Sequence, residues 1–197
     1  MSPTDPQTVA TPTLMSLLKA GTLDLHRKIE ASLPLMKPHF TFGQYRDYLL
    51  RTYSLYLPFE KAFEDVEPFF FEKLELNRRQ KVQWLLADLH EMGFSHSDLA
   101  AKDACDIWPV FASPFEFLGA LYVIEGSTLG GKIIQRHLQS HLGLRPNQLR
   151  FFEAYGDQTG PMWMSFRTAA EELTVASDHP SLLRGAISTF DIMSRWL

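Results

Sequence analysis

Residues Phe117 to Leu138 read FLGALYVIEGSTLGGKIIQRHL, and the fold turns on how this stretch is interpreted. Just upstream, Ser113-Pro114-Phe115-Glu116 supplies an N-cap, a proline at the first helical position and a glutamate three residues after the cap; Gly143 offers a stop downstream. The spacing predicts one long helix. Its centre, however, is built from poor helix formers. Gly126, Gly130 and Gly131 each cost about 1 kcal/mol against alanine in a helix interior, and Ser127 and Thr128 compete for backbone hydrogen bonds. The segment gives up about 3 kcal/mol, so something must come close to this backbone to offset the loss. Gly126 and Gly130 share a face. They leave room either for a neighbouring helix or for a flat ligand laid against the main chain, and the Gly/Ser composition permits a kink.

Gly126 to Lys132 also satisfies G-x-x-x-x-G-K, the pattern of a phosphate-binding loop. That reading fails at the next position, where Ile133 stands in place of the hydroxyl that such a loop needs for magnesium, and the preceding run is capped as a helix.

The composition, 45% hydrophobic and 21% charged over 197 residues, is that of a globular domain large enough to bury a sizeable core. A net charge of -4 gives no footprint for nucleic acid, and no charge run reads as a membrane patch. The lone Cys105 excludes an internal disulfide and a cysteine-based metal cage, which fits a reducing, cytoplasmic location. Residues 1–12, MSPTDPQTVATP, have no basic n-region and no apolar core, so a disordered tail is expected ahead of one domain over 13–197. No run approaches eighteen apolar residues, and no membrane span is expected.

Outside the glycine stretch the periodicity is also helical. Leu14, Leu18, Leu25, Ile29 and Leu33 mark a first helix ending near Pro34, with Lys19, His26 and Glu30 beside the stripe. Thr41 with Gln44 forms a capping box for a second helix, bent at Pro58, and Asn77 with Gln80 predicts another box before the helix of Val82, Leu85 and Leu89. Further helices follow Pro146, Gly160-Pro161 and His179-Pro180. Strand alternation is almost absent, which gives an all-α bundle of about seven to eight helices.

His137 and His141 lie one turn apart as metal ligands can, but no third ligand accompanies them, and they read as surface residues. His26 has better company. Seven residues separate it from Lys19, about 10.5 Å along a helix, a spacing that suits an imidazole on the metal of a large planar ligand and a lysine at that ligand's acidic rim. The plainer alternative is a histidine on a half-buried face beside an exposed lysine.

On LLKAGTLDLHRKIE, YVIEGSTLGGK and YGDQTGPMWMSF, from about Leu14 to the C-terminal helix, the chain resembles the haem oxygenases, and in particular their bacterial, bacteriophytochrome-associated branch. The resemblance implies a haem sandwiched between the first helix and a kinked distal helix. It implies that His26 ligates the iron on the proximal side, that Glu30 helps to fix it, and that Gly126, Gly130 and Gly131 lie over the haem. Lys19, Tyr122, Ser127 and, in looser register, Arg167 then bind haem propionates. The implied reaction opens haem, at once cofactor and substrate, to biliverdin with release of carbon monoxide and ferrous iron. It uses dioxygen and an external reductant, a ferredoxin or reductase, and its product would supply a bacteriophytochrome with bilin or the cell with iron. Gly126, Ser127 and Gly130 are the expected catalytic positions.

One departure concerns the proton path, because animal members carry an aspartate where this chain has Ser127. Glu125 is adjacent but about 100° away around a helix, so it is not expected to substitute. A haem sensor or carrier without turnover is the alternative from another class. A thiaminase-like enzyme on a similar fold would require a nucleophilic cysteine or a carboxylate-lined cavity, and Cys105 has no basic neighbour in sequence.

Overall fold

The computed structural model describes residues 13–100, 104–108 and 110–197; the tail expected over 1–12 lies outside them. Among the described residues there are ten α-helices, six short 3-10 turns and no strand. Seven helices have ten residues or more: α1 (Leu14–Ser32), α2 (Phe42–Lys61), α4 (Val82–Glu91), α6 (Pro114–Ser127), α7 (Gly131–Leu142), α9 (Thr159–Glu172) and α10 (His179–Trp196). The other three are α3 (Pro68–Lys73), α5 (His96–Ala100) and α8 (Arg150–Glu153).

α6 is the central rod. Its run FLGALYVIE is buried, including Glu125, except at the half-buried Tyr122, and it packs chiefly against α10, which packs against α1; α2 pairs with α4. Two glycines set the α6–α10 separation. A Cβ at Gly119 would lie 1.9 Å from the Leu182 carbonyl oxygen, and one at Gly185 would lie 2.0 Å from that of Glu116. At these two positions only the missing side chain permits the backbones to meet.

The predicted capping holds where partners are local. Thr41 caps α2 in a full capping box with Gln44, and Thr13, which the sequence reading did not single out, caps α1. Ser113 accepts the Glu116 N–H at 3.2 Å, while the Glu116 carboxylate reaches back to the Ala112 N–H. The box expected at Asn77 does not form. Asn77 lies in a 3-10 turn, and the N–H groups of Lys81 and Val82 that open α4 donate to the carboxylate of Glu60, a residue of α2.

The rod does break at its glycines. After Ser127 the chain tightens into a 3-10 turn, Thr128–Gly130, before α7 resumes. Ser127 and Thr128 donate to the carbonyls of Ile124 and Glu125, the local competition that weakens the α-helical ladder here. The combined span Pro114–Leu142 is 29 residues long and contains a window apolar enough, on length and composition, to be a candidate membrane span. Half of that window is buried inside the fold, as befits the core helix of a bundle.

Candidate functional site

The first helix places His26 where its stripe meets the rest of the bundle. Leu14, Leu18 and Ile29 are buried, and His26 stands at the edge of that stripe with its side chain 55% exposed. Its Nδ1 lies 3.3 Å from a carboxylate oxygen of Glu30, one turn on, and Phe190 of α10 meets the ring edge-on at 6.1 Å. A carboxylate at Nδ1 favours the tautomer that leaves Nε2 free, the arrangement by which proteins orient metal-binding histidines.

Across from this imidazole runs the broken rod. His26, Glu30, Gly126, Ser127, Gly130 and Gly131 all line one cavity of about 390 Å³, between α1, α2, α10 and the α6–α7 junction. Its walls are mostly apolar, with Ile29, Val123, Ile134 and Met193 among them. Leu129, 48% exposed, stands beside the glycine turn. At the polar end Tyr56 Oη is 3.4 Å from Ser127 Oγ. Burial pushes Tyr48 up to about 12 and raises Tyr56 as well, the Ser127 hydroxyl opposing it, so both are phenols rather than phenolates at neutral pH.

The three glycines are not equivalent. A Cβ on Gly131 would lie 2.2 Å from the Phe152 carbonyl oxygen, so close packing against α8 accounts for that residue. At Gly126 a Cβ would meet only the edge of Trp163 at 3.8 Å, and at Gly130 nothing within 4 Å among the described residues. Protein packing therefore explains Gly131 and leaves Gly126 and Gly130, both on the cavity, without a structural need. A flat group in the cavity would supply one, and an imidazole opposite bare backbone is a donor set that haem iron accepts.

Lys19, Tyr122 and Arg167 do not line the cavity. Lys19 is exposed on α1, two turns before His26. Tyr122 turns toward α9, where its ring lies 5.7 Å from that of Trp163; burial raises its phenol, against which act the Thr22 hydroxyl and the Arg167 charge. Arg167 has a buried Nε with no hydrogen-bond partner among the described residues. The Tyr122–Arg167 corner thus adjoins the glycine floor through Trp163 and holds a cationic group with unused hydrogen-bonding capacity.

Sequence reasoning missed a buried polar cluster behind the rod. Glu125, only 1% exposed, accepts from Arg79 Nη1 at 2.5 Å, Lys81 Nζ at 2.5 Å and the Tyr155 hydroxyl at 2.9 Å. Burial and the neighbouring carboxylate push the Tyr155 phenol up. The signal was a glutamate inside an otherwise apolar helix, which requires partners; which partners could not be read, because they come from 44 and 46 residues away. Cys105 is buried, its thiol pushed up by desolvation, and so has none of the features of a nucleophile. His137 stacks on His141 at 5.3 Å, and no group of three metal-ligating side chains occurs among the described residues.

The fold defined by these helices is one already seen in a solved structure. The structure of heme oxygenase from Leptospira interrogans matches with a TM-score of 0.79 at 21% identity, covering 93% of this chain and 98% of that one. No curated protein matched by sequence. The family model described as Heme oxygenase matches residues 12–197. The chain belongs to the haem oxygenase family and is an enzyme of that type.

Proposed function

We propose that this protein opens haem to biliverdin with release of carbon monoxide and ferrous iron, consuming dioxygen and electrons from an external ferredoxin or reductase. The observation that carries the reading is the pairing, across one cavity, of the His26 imidazole with two glycines that protein packing does not require. Haem, when bound, supplies both the redox-active iron and the macrocycle that is consumed. Glu30 orients His26 so that Nε2 is the free nitrogen. Gly126 and Gly130 leave free the space along the cavity floor that haem would use, and the apolar walls limit water. The Ser127 and Tyr56 hydroxyls hold exchangeable protons at the same end of the cavity. Arg167, Tyr122 and Lys19, which stand outside the cavity lining, are the groups to which propionates reaching beyond it would bind. A bacteriophytochrome as acceptor of the bilin follows from the branch that the sequence resembles.

The test is direct. Ferric haem added to the protein should give a Soret band, and a reductant in air should replace it with biliverdin absorption. His26→Ala should remove the histidine-ligated spectrum and the turnover, while Glu30→Gln should weaken haem binding by about tenfold. A second reading, a haem sensor or carrier, is favoured by Ser127 in the place of a relay carboxylate. It predicts that haem is recovered intact after reduction in air.

A further inference from the structure

The cluster behind the rod brings two cations to one buried carboxylate. Glu125 is already compensated by Arg79, whose guanidinium is permanently charged, and by the Tyr155 hydroxyl. Yet Lys81, with 1% of its side chain exposed, brings a second cation to the same carboxylate. Its three protons are all directed: to Glu125, to the Arg79 carbonyl at 2.9 Å and to the Tyr155 oxygen at 3.1 Å. Two further acids lie near the cluster. Glu60 is occupied with the backbone N–H groups of Lys81 and Val82, and burial pushes its carboxyl up toward the neutral form. Glu75, held by Ser165 and Arg78, also pairs with Arg79 at 3.9 Å, so that Arg79 is shared between two carboxylates. Burying an ammonium is costly even when it is paired, so a chain that keeps one here gains something from it. Of Arg79, Lys81, Glu125 and Tyr155, only Lys81 lines the cavity.

We propose that Lys81 is the electrostatic group of the distal side, its ammonium braced by Glu125 and Tyr155 so that a fixed positive charge faces the glycine-floored cavity. A preorganised cation in a water-poor site stabilises an anionic ligand, or negative charge developing there, without reorganising when the charge appears. Lys81 and Ser127 line the same cavity, and position 127 carries no carboxylate. Glu125 then has a role after all, as the brace of the lysine rather than as a group that enters the cavity.

The inference rests on the haem reading, and the experiment separates the two. The haem-loaded protein is titrated with fluoride, with neutral imidazole and with pH, in the parent, Lys81→Met and Lys81→Arg. The methionine variant should bind fluoride about tenfold more weakly, the change expected for removal of one nearby partly screened charge. Its acid–alkaline spectral transition should move upward by about one pH unit, the same effect read with hydroxide. Imidazole affinity should stay within about twofold, and Lys81→Arg should retain the parent values. A merely structural lysine would not discriminate anionic from neutral ligands. Equal fluoride affinity and an unmoved transition in folded Lys81→Met would overturn the proposal while leaving the haem reading intact. Should that variant not fold, Lys81→Gln, which keeps a donor for Glu125, is read in its place. If the parent itself develops no Soret band with haem, the functional reading fails and this one with it.

Discussion

At Gly119 a methyl group would press to within 1.9 Å of a neighbouring carbonyl oxygen, whereas at Gly130, further along the same rod, it would meet nothing within 4 Å among the described residues. Gly185 and Gly131 belong with Gly119, since their added Cβ atoms would sit 2.0 and 2.2 Å from backbone oxygens of Glu116 and Phe152. Gly126 belongs with Gly130. The contrast teaches that an expensive glycine has to be read by what it faces. Those that touch another backbone set the distance between helices, and those that face the cavity have no close protein contact to require them. The sequence raised both possibilities for one stretch, and both occur within six residues of it.

The contrast breaks most visibly at the packing glycines. Gly119→Ala or Gly185→Ala forces α6 and α10 apart or bends one of them, because the obstructing atoms are main chain and cannot rotate away. Such overpacking costs about 3 kcal/mol or more. Denaturant midpoints should fall sharply for both, with the m-value retained if the fold survives. Gly131→Ala should behave in the same way to a lesser degree, since its neighbour, α8, is only four residues long and can yield. Near-parent stability in all three would remove the first half of the comparison.

A smaller effect reaches the same interface through pH. α8, the partner of Gly131, is anchored at its start by Asp88, whose two carboxylate oxygens accept the N–H groups of Arg150 and Phe151 at 3.0 and 2.9 Å. Burial lifts its carboxyl from 3.8 to about 6, against the pull of those two bonds and of the Arg150 charge. A raised folded-state value means that the native protein holds the proton more tightly than the unfolded chain. Asp88 therefore contributes stability below about pH 4 that is lost as pH rises toward 6. At about 1.4 kcal/mol for each pH unit, the change over that window is at most about 3 kcal/mol. The stability of the parent minus that of Asp88→Asn should decline between these pH values and level off above them, a difference that cancels the oppositely shifted Glu75 and Asp157. A difference flat across the window would mean that the backbone bonds, not burial, govern the group.

How much of this was legible follows from how local each determinant is. Helix starts at Thr41 and Ser113, the break at Ser127 to Gly130 and the edge position of His26 are set by residues within one or two turns, and the sequence displays them. The cap of α4 was misread because Glu60 reaches it from another helix, which removes any need for a capping box at Asn77. Gly131 looked like its neighbours because spacing along a helix does not reveal which backbone lies opposite. Glu125 was set aside on its angle around the helix, correctly as far as the cavity is concerned. That argument could not show the lysine it holds, whose place depends on the loop before α4.

The sharpest test of the comparison is also the smallest in energy, because it changes sign. Gly130 sits at φ -84° and ψ -13°, a conformation that alanine adopts freely, and the added methyl finds open space. Gly130→Ala should therefore stabilise the protein, by up to about 1 kcal/mol, through restricting the unfolded chain and favouring helix. The same methyl projects at a point where the cavity needs bare backbone, so haem affinity or turnover should fall even as the denaturant midpoint rises. Opposite movement of stability and haem chemistry in one variant separates a binding glycine from a packing glycine, for which both fall together. If Gly130→Ala gained stability and bound and degraded haem like the parent, the glycine would have no use that the protein or its ligand could explain, and the division drawn along this rod would not stand.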